Sequence, residues 1–146
     1  MENYLTKAII VDIDGTVATH YDSDGVQTRE HHDYSLVGTD LPVQPIIDLV
    51  RMYFDNGFTI IFVSGRMDHC RKDTIQWLVD HDVPMDFIFM RRSKDFRPDN
   101  EIKQEIYDNE ILGKFNIEIV LDDRDRVVDM WRENGLQVLQ VAEGDF

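Results

Sequence analysis

Asp12-Ile13-Asp14-Gly15-Thr16 follows directly on the apolar run Ala8-Ile9-Ile10-Val11. Two carboxylates two residues apart at the C-terminal end of a buried strand can divide one reaction, with Asp12 as nucleophile and Asp14 as general acid and base. A strand's period of two sends both side chains to one face, and the turn that Gly15 permits can aim them at a common point. Acids so placed repel each other unless a cation sits between them. The pattern therefore asks for a divalent metal, above all Mg²⁺, which takes hard oxygen ligands and keeps several waters. The competing reading is an acidic turn at a strand end, since Asp and Gly are ordinary turn residues.

The elements that must position this pair alternate along the chain. Short runs rich in Ile, Val and Phe predict strands at Lys7 to Asp12, Thr59 to Ser64, Asp86 to Met90, Ile117 to Leu121 and Gln137 to Val141. Helical patterns fill the intervals. The first opens at Pro45 and repeats Ile46, Leu49, Val50, Tyr53 and Phe54 before Gly57, and the second runs from about Asp68 to Asp80 with Ile75, Leu78 and Val79 inward. A third starts near Asp99 with Ile102, Ile106 and Ile111, and a fourth carries Val127, Val128, Met130 and Trp131. Such alternation predicts an α/β fold, a Rossmann-like parallel sheet with helices on both faces. Ligands in such sheets bind at the carboxyl ends of the strands.

The remaining chemically suggestive residues fall at that edge. Ser64-Gly65-Arg66 follows the second strand, Asp122-Asp123 follows the fourth, and Lys103 stands near the start of the third helix. Phosphoryl transfer has a use for each. The Ser64 hydroxyl and the Gly65 N–H suit phosphate oxygens at a helix N-terminus, and Arg66 adds a fork of donors matched to phosphate. Lys103 would offset charge between nucleophile and phosphate. Asp122 and Asp123 would complete a metal site with Asp12 and the main-chain carbonyl of Asp14. Each has a plainer alternative: a strand-to-helix turn, a solvated lysine, an acidic helix cap.

Together, DIDGT (Asp12 to Thr16), VSGR (Val63 to Arg66), Lys103 and LDD (Leu121 to Asp123) resemble the four motifs of the haloacid dehalogenase (HAD) superfamily of phosphatases. More narrowly, nearly the whole chain is similar to the 3′-phosphatase domain of phage-type polynucleotide kinase. RPDNEIKQEIY (Arg97 to Tyr107), LDDRDRVVDMWRENG (Leu121 to Gly135) and VAEGDF (Val141 to Phe146) carry that closer likeness. The resemblance implies an aspartyl-phosphate on Asp12, dependence on Mg²⁺, and removal of a 3′-phosphate from DNA or RNA ends. It also implies substrate-binding roles for Arg29, Arg66 and Asp99, although the stretch from Tyr21 to His32 departs from the family pattern. The G-x-x-x-x-G-K-[ST] loop of the kinase half is missing from the sequence.

At 146 residues with 42% hydrophobic content, the chain has the size of a single domain spanning 1–146. Its apolar runs are far shorter than the roughly 20 residues of a membrane span, and Met1-Glu2-Asn3-Tyr4 lacks a signal-peptide layout. A cytoplasmic protein is expected, in a phage-infected host if the resemblance holds. The single cysteine, Cys70, reads as a small apolar side chain on a helix. A formal charge of −14 argues against a long grip on a nucleic-acid backbone. Local capture of a terminal phosphate stays open: within the basic run Arg91, Arg92, Lys94 and Arg97, the arginines 91, 92 and 97 are expected to touch a flanking nucleotide, the alternative being a solvated loop. The stretch Val17 to Leu41 is too short for a large cap domain, so the site should be open enough for a polymer end. Two other classes share part of the pattern: a phosphatase acting on small nucleotides, and a phospho-acceptor module of the receiver type. The latter lacks a second acid two residues beyond the acceptor.

Overall fold

A computed structural model describes residues 4–146, so Met1, Glu2 and Asn3 of the N-terminal reading lie outside the described residues. Five strands pair in parallel in the order β5-β4-β1-β6-β7. They are β1 (Thr6–Val11), β4 (Thr59–Met67), β5 (Phe87–Arg91), β6 (Phe115–Asp122) and β7 (Val138–Gln140). The four predicted helices are α1 (Gln44–Asp55), α2 (Arg71–Asp80), α3 (Asp99–Ile106) and α4 (Asp125–Glu133). This is the expected α/β arrangement, with strand limits moved by up to three residues.

The period of two in β1 divides its side chains between two cores. Ile9 and Val11 pack with Ile47 and Val50 of α1 and with Trp77 and Leu78 of α2, whereas Ala8 and Ile10 face Val127, Val128 and Trp131 of α4. Because both faces of the sheet are covered, the strands read as unbroken apolar runs. At about 1.5–3 kcal/mol per fully buried aliphatic or aromatic side chain, this two-sided burial is the main force holding the strand ends in register.

Several details differ from the sequence expectations. Helix α2 turns Thr74, Trp77 and Leu78 inward and leaves Val79 60% exposed, because the buried Thr74 hydroxyl and Trp77 indole each take a polar partner. In α1, Ile47 and Val50 are buried while Phe54 is exposed. The third helical stretch does not run evenly to Ile111: after Ile106 it widens into a π-type turn over Tyr107–Ile111. Cys70 is buried as expected, in a short 3₁₀ turn before α2.

The 17–41 segment is no lid. Its two ends pair as short antiparallel strands, β2 (Ala18–Thr19) with β3 (Leu41–Pro42), and the loop between them holds a 3₁₀ turn over Tyr34–Thr39, so the site lacks a cap domain among the described residues. The ladder between β4 and β5 is interrupted where the site begins. Ser64 pairs with Met90 and Met67 with Arg91, so Gly65 and Arg66 bulge out of the pairing. No helix among the described residues is long and apolar enough to cross a membrane.

Candidate active site

At the carboxyl edge of the sheet, strand ends deliver three carboxylates to one point. Asp12 leaves β1, Asp122 ends β6 and Asp123 follows it; all three are buried, and one oxygen from each lies within 4.8 Å of the others. Lys103, on the first turns of α3, reaches back between them. Its ammonium donates to Asp12 Oδ1 at 2.8 Å and to Asp122 Oδ2 at 2.9 Å. Thr16 donates to the other oxygen of Asp12 at 2.9 Å, and the Trp131 indole donates to Asp122 Oδ2 at 3.2 Å. Gly15 permits this crowding, since φ is +81° and a Cβ there would lie 2.1 Å from Asp123 Oδ2.

One ammonium among three buried carboxylates leaves negative charge uncompensated. Burial, and next the charge of Asp122, raise Asp12 well above the ordinary carboxylate range. The same two causes push Asp123 up to about 6. Burial opposes the charge on Lys103, but Asp12 and Asp122 outweigh it and hold the ammonium protonated above its ordinary value. Three hard oxygen donors that resist ionisation side by side fit a divalent cation such as Mg²⁺.

Asp14 departs from the expected arrangement. Its carboxylate is taken by two buried arginines and lies outside the group formed by Asp12, Asp122 and Asp123. Arg66 grips it through Nε to Oδ2 at 3.0 Å and through Nη2 to Oδ1 at 2.8 Å, and Arg29 Nη2 reaches Oδ1 at 3.1 Å. Although burial pushes Asp14 up, the charge and hydrogen bonds of Arg66, followed by the charge of Arg29, bring it below its ordinary value. Both guanidiniums also hold Asp40, which is fully buried at its side chain, and Arg66 Nη1 donates to Thr74. Arg29 further caps the carbonyls of Glu30 and His31. Two arginines and two aspartates thus make a balanced cluster beside the unbalanced one.

The other predicted residues are brought to the same edge, in altered settings. Ser64 is buried and accepts the Arg66 amide at 3.1 Å; the expected helix N-terminus is not there, because β4 continues to Met67 and α2 starts at Arg71. Gly65 lies against Asp99, whose Oδ1 would stand 3.1 Å from a Cβ at that position. Asp99 itself binds Arg91 and Arg124. Arg91 is buried and spends its donors on Asp99 and on the carbonyls of Gly65, Asp95 and Arg97, so it is not the free basic contact expected of the run 91–97. Arg97 pairs with Asp95 and Glu105.

Sequence reading missed Asp40, Thr74, Arg124 and Trp131. Thr16 carried a visible signal as the last residue of the DIDGT pentapeptide, and Arg124 and Trp131 lay within the LDDRDRVVDMWRENG segment with no site role assigned to them. A cleft of about 790 Å³ opens over both clusters, and its lining includes six carboxylates and six lysine or arginine side chains. A chain of net charge −14 thus has a local surface of formal balance where an anion would enter.

The profile of the polynucleotide kinase PNKP phosphatase domain matches residues 6–146. The chain belongs to that family. It is a phosphomonoesterase-type domain of the HAD superfamily, as the motifs implied. A putative bifunctional polynucleotide kinase/RNA ligase of Autographa californica nuclear polyhedrosis virus is 34% identical over 131 residues, covering 87% of this chain and 18% of the viral protein. A chain in a structure of the Pnkp1/Rnl/Hen1 RNA repair complex aligns with all of this chain at a TM-score of 0.91 and 37% identity. This chain covers 45% of that partner, so it spans under half the length of these relatives. The D,D-heptose 1,7-bisphosphate phosphatase of B. bronchiseptica, at 14% identity and a TM-score of 0.58, shares the fold over 91% of this chain and 79% of its own.

Proposed function

We propose that this domain is a Mg²⁺-dependent phosphatase that removes the 3′-phosphate from DNA or RNA ends through an aspartyl-phosphate on Asp12. The observation that carries this reading is the Lys103 ammonium held between Asp12 and Asp122, with Asp123 beside them, on the floor of a capless cleft. Thr16 and Lys103 each take one Asp12 oxygen and so fix the plane of its carboxylate for attack on phosphorus. Lys103 then faces the charge that gathers on the phosphoryl oxygens.

Asp12, Asp122, Asp123 and the main-chain carbonyl of Asp14 would hold the metal. When bound, Mg²⁺ supplies charge neutralisation to the phosphoryl oxygens and relieves repulsion among the carboxylates. Asp14 gives a proton to the departing 3′ oxygen, then takes one from the water that hydrolyses the aspartyl-phosphate. Its low proton affinity in the arginine grip means that the proton-carrying form needs at least one of those bonds to be released. Gly65 and Asp99 shape the wall where phosphate enters, Ser64 supports it from behind by accepting the Arg66 amide, and Arg29 and Arg66 serve there by presenting Asp14. The open cleft favours a polymer end over a small nucleotide, because no lid closes on a small substrate.

Phosphate release from a 3′-phosphorylated oligonucleotide, compared with the matching mononucleotide, tests this reading. A higher kcat/KM on the oligonucleotide is expected with Mg²⁺ and none with excess EDTA. Preference for the mononucleotide would replace it with the small-nucleotide reading, and full activity in EDTA after dialysis would remove the metal site.

A further inference from the structure

Phe96 is 81% exposed, and it lines the cleft. Hydrophobic burial therefore gives this ring nothing in the fold. Among the described residues it has neither a ring partner nor a cation over its face, unlike Phe146, also in the cleft, whose ring lies 4.5 Å from the Arg124 guanidinium. Yet the backbone that carries Phe96 is tied down on both sides. Buried Arg91 donates through one nitrogen, Nη1, to the carbonyls of Asp95 and of Arg97, the residues on either side. Its Nε holds the Gly65 carbonyl and its Nη2 holds Asp99, which ties the Phe96 loop to the site wall. Across the loop, Arg97 Nη2 binds Asp95 Oδ2 at 2.7 Å.

A buried guanidinium is costly unless its donors are satisfied, and here it holds the two backbone carbonyls that flank an exposed apolar ring. The same cleft is lined by a run of rings from the 31–34 loop and its neighbour, with His31 to His32 at 4.8 Å, His32 to Tyr34 at 6.2 Å and Tyr34 to His69 at 5.7 Å. Flat π-faces beside a phosphate-accepting floor suit a heterocyclic base carried on the same nucleotide as the phosphate. The whole-chain charge of −14 leaves little attraction for a longer stretch of backbone.

The geometry points to Phe96 as a stacking platform for the nucleobase of the phosphate-bearing terminal nucleotide, with Arg91 and Arg97 holding the platform and not contacting the substrate. This rests on the polynucleotide reading above. It gives Arg91 and Arg97 a role without a phosphate contact, and it gives base recognition that is tolerant of sequence, since every base has a π-face.

The test compares KM for an oligonucleotide ending in a 3′-phosphorylated nucleotide with KM for the same strand whose last residue is abasic. In the wild type the abasic strand is expected to have a KM roughly tenfold higher. Phe96→Ala should bring the ratio close to one by raising KM on the intact strand with kcat little changed, and Phe96→Tyr should restore it. An unchanged thermal midpoint in Phe96→Ala is expected for so exposed a ring. A wild-type ratio near one, or a Phe96→Ala ratio equal to that of the wild type, would overturn the stacking role and leave the phosphatase reading intact. Failure of the wild type to act on the intact strand while it hydrolyses the mononucleotide would overturn the polynucleotide reading, and the platform with it.

Discussion

Asp12 and Asp14 are separated by one residue, yet they sit in opposite electrostatic settings. Asp12 belongs to a floor of three buried carboxylates with one ammonium, and its proton affinity is raised. Asp14 belongs to a wall of two carboxylates and two guanidiniums, and its proton affinity is lowered. The floor has too little positive charge for its carboxylates and so is ready to receive more from a metal, while the wall is already neutral and serves to hold a side chain in place. Paired acids in a motif therefore need not share a cation, and each can be compensated by its own partner.

The largest expected effect comes from the floor. Asp12→Asn should lower kcat by about a thousandfold or more on every phosphate ester while the protein stays folded, because an amide is a poor nucleophile. Retention of more than a few percent of wild-type rate in purified protein would rule out covalent chemistry at Asp12.

Next comes the wall. Arg66→Ala removes two bonds to Asp14 and one each to Asp40 and Thr74, which leaves buried carboxylates underpaired. A stability loss of about 3–5 kcal/mol by denaturant unfolding is expected, together with a fall in kcat on small esters as well as oligonucleotides. Measured in a double-mutant cycle, Arg66→Ala and Asp14→Asn should be strongly non-additive in stability. Simple additivity would mean that the Arg66 grip on Asp14 contributes nothing.

The third prediction separates the two clusters by pH. Asp123 holds its proton up to about 6, whereas an unfolded Asp gives it up near 3.9. In metal-free protein this raised value costs stability progressively as pH rises from about 4 to about 6, and the cost stays constant above that. Asp14 acts in the other sense: its lowered value stabilises the fold above the unfolded pKa, and that contribution is lost as pH falls toward the folded one. Asp123→Asn should thus raise the metal-free thermal midpoint by about 2–4 °C per kcal/mol of relieved repulsion at pH 8, and by less at pH 5. It should also weaken stabilisation by added Mg²⁺, which for the wild type reaches about 2.7 kcal/mol at a hundredfold excess over Kd. Equal midpoints for wild type and variant at pH 8 would contradict the strained floor.

The smallest effect distinguishes a crowded glycine from an open one. Gly25 has φ +78° with nothing within 4 Å of a built Cβ, so Gly25→Ala should cost only about 1–2 kcal/mol of backbone strain. Gly15→Ala adds a collision with Asp123 and should cost more and abolish turnover. Comparable thermal midpoints for the two variants would show that the floor is looser than drawn.

What was legible in the sequence follows the same division. Asp12, Lys103, Asp122 and Asp123 could be read because each sits at the end or start of a periodic element, and apolar burial fixes where those ends lie. Asp40 was hidden: it comes from an aperiodic stretch, and it meets Arg66 from 26 residues away. Thr74 was hidden because a hydroxyl on an inner helix face looks like a break in the apolar stripe. Arg29 emerged only through family resemblance. Within the basic run 91–97, linear charge density could not reveal that Arg91 points inward to carbonyls of its own loop.

Excluding Gly65 and Arg66 from the β4–β5 ladder also separates two motions. Local breathing of the bulge can release the guanidinium from Asp14 without parting the strands, since neither residue belongs to a registered pair. Amide protons of Ile60, Ile61 and Phe62 should then exchange with solvent only when the whole domain opens, while those at the bulge exchange through small, frequent openings. Release of Asp14 would then leave the sheet in register.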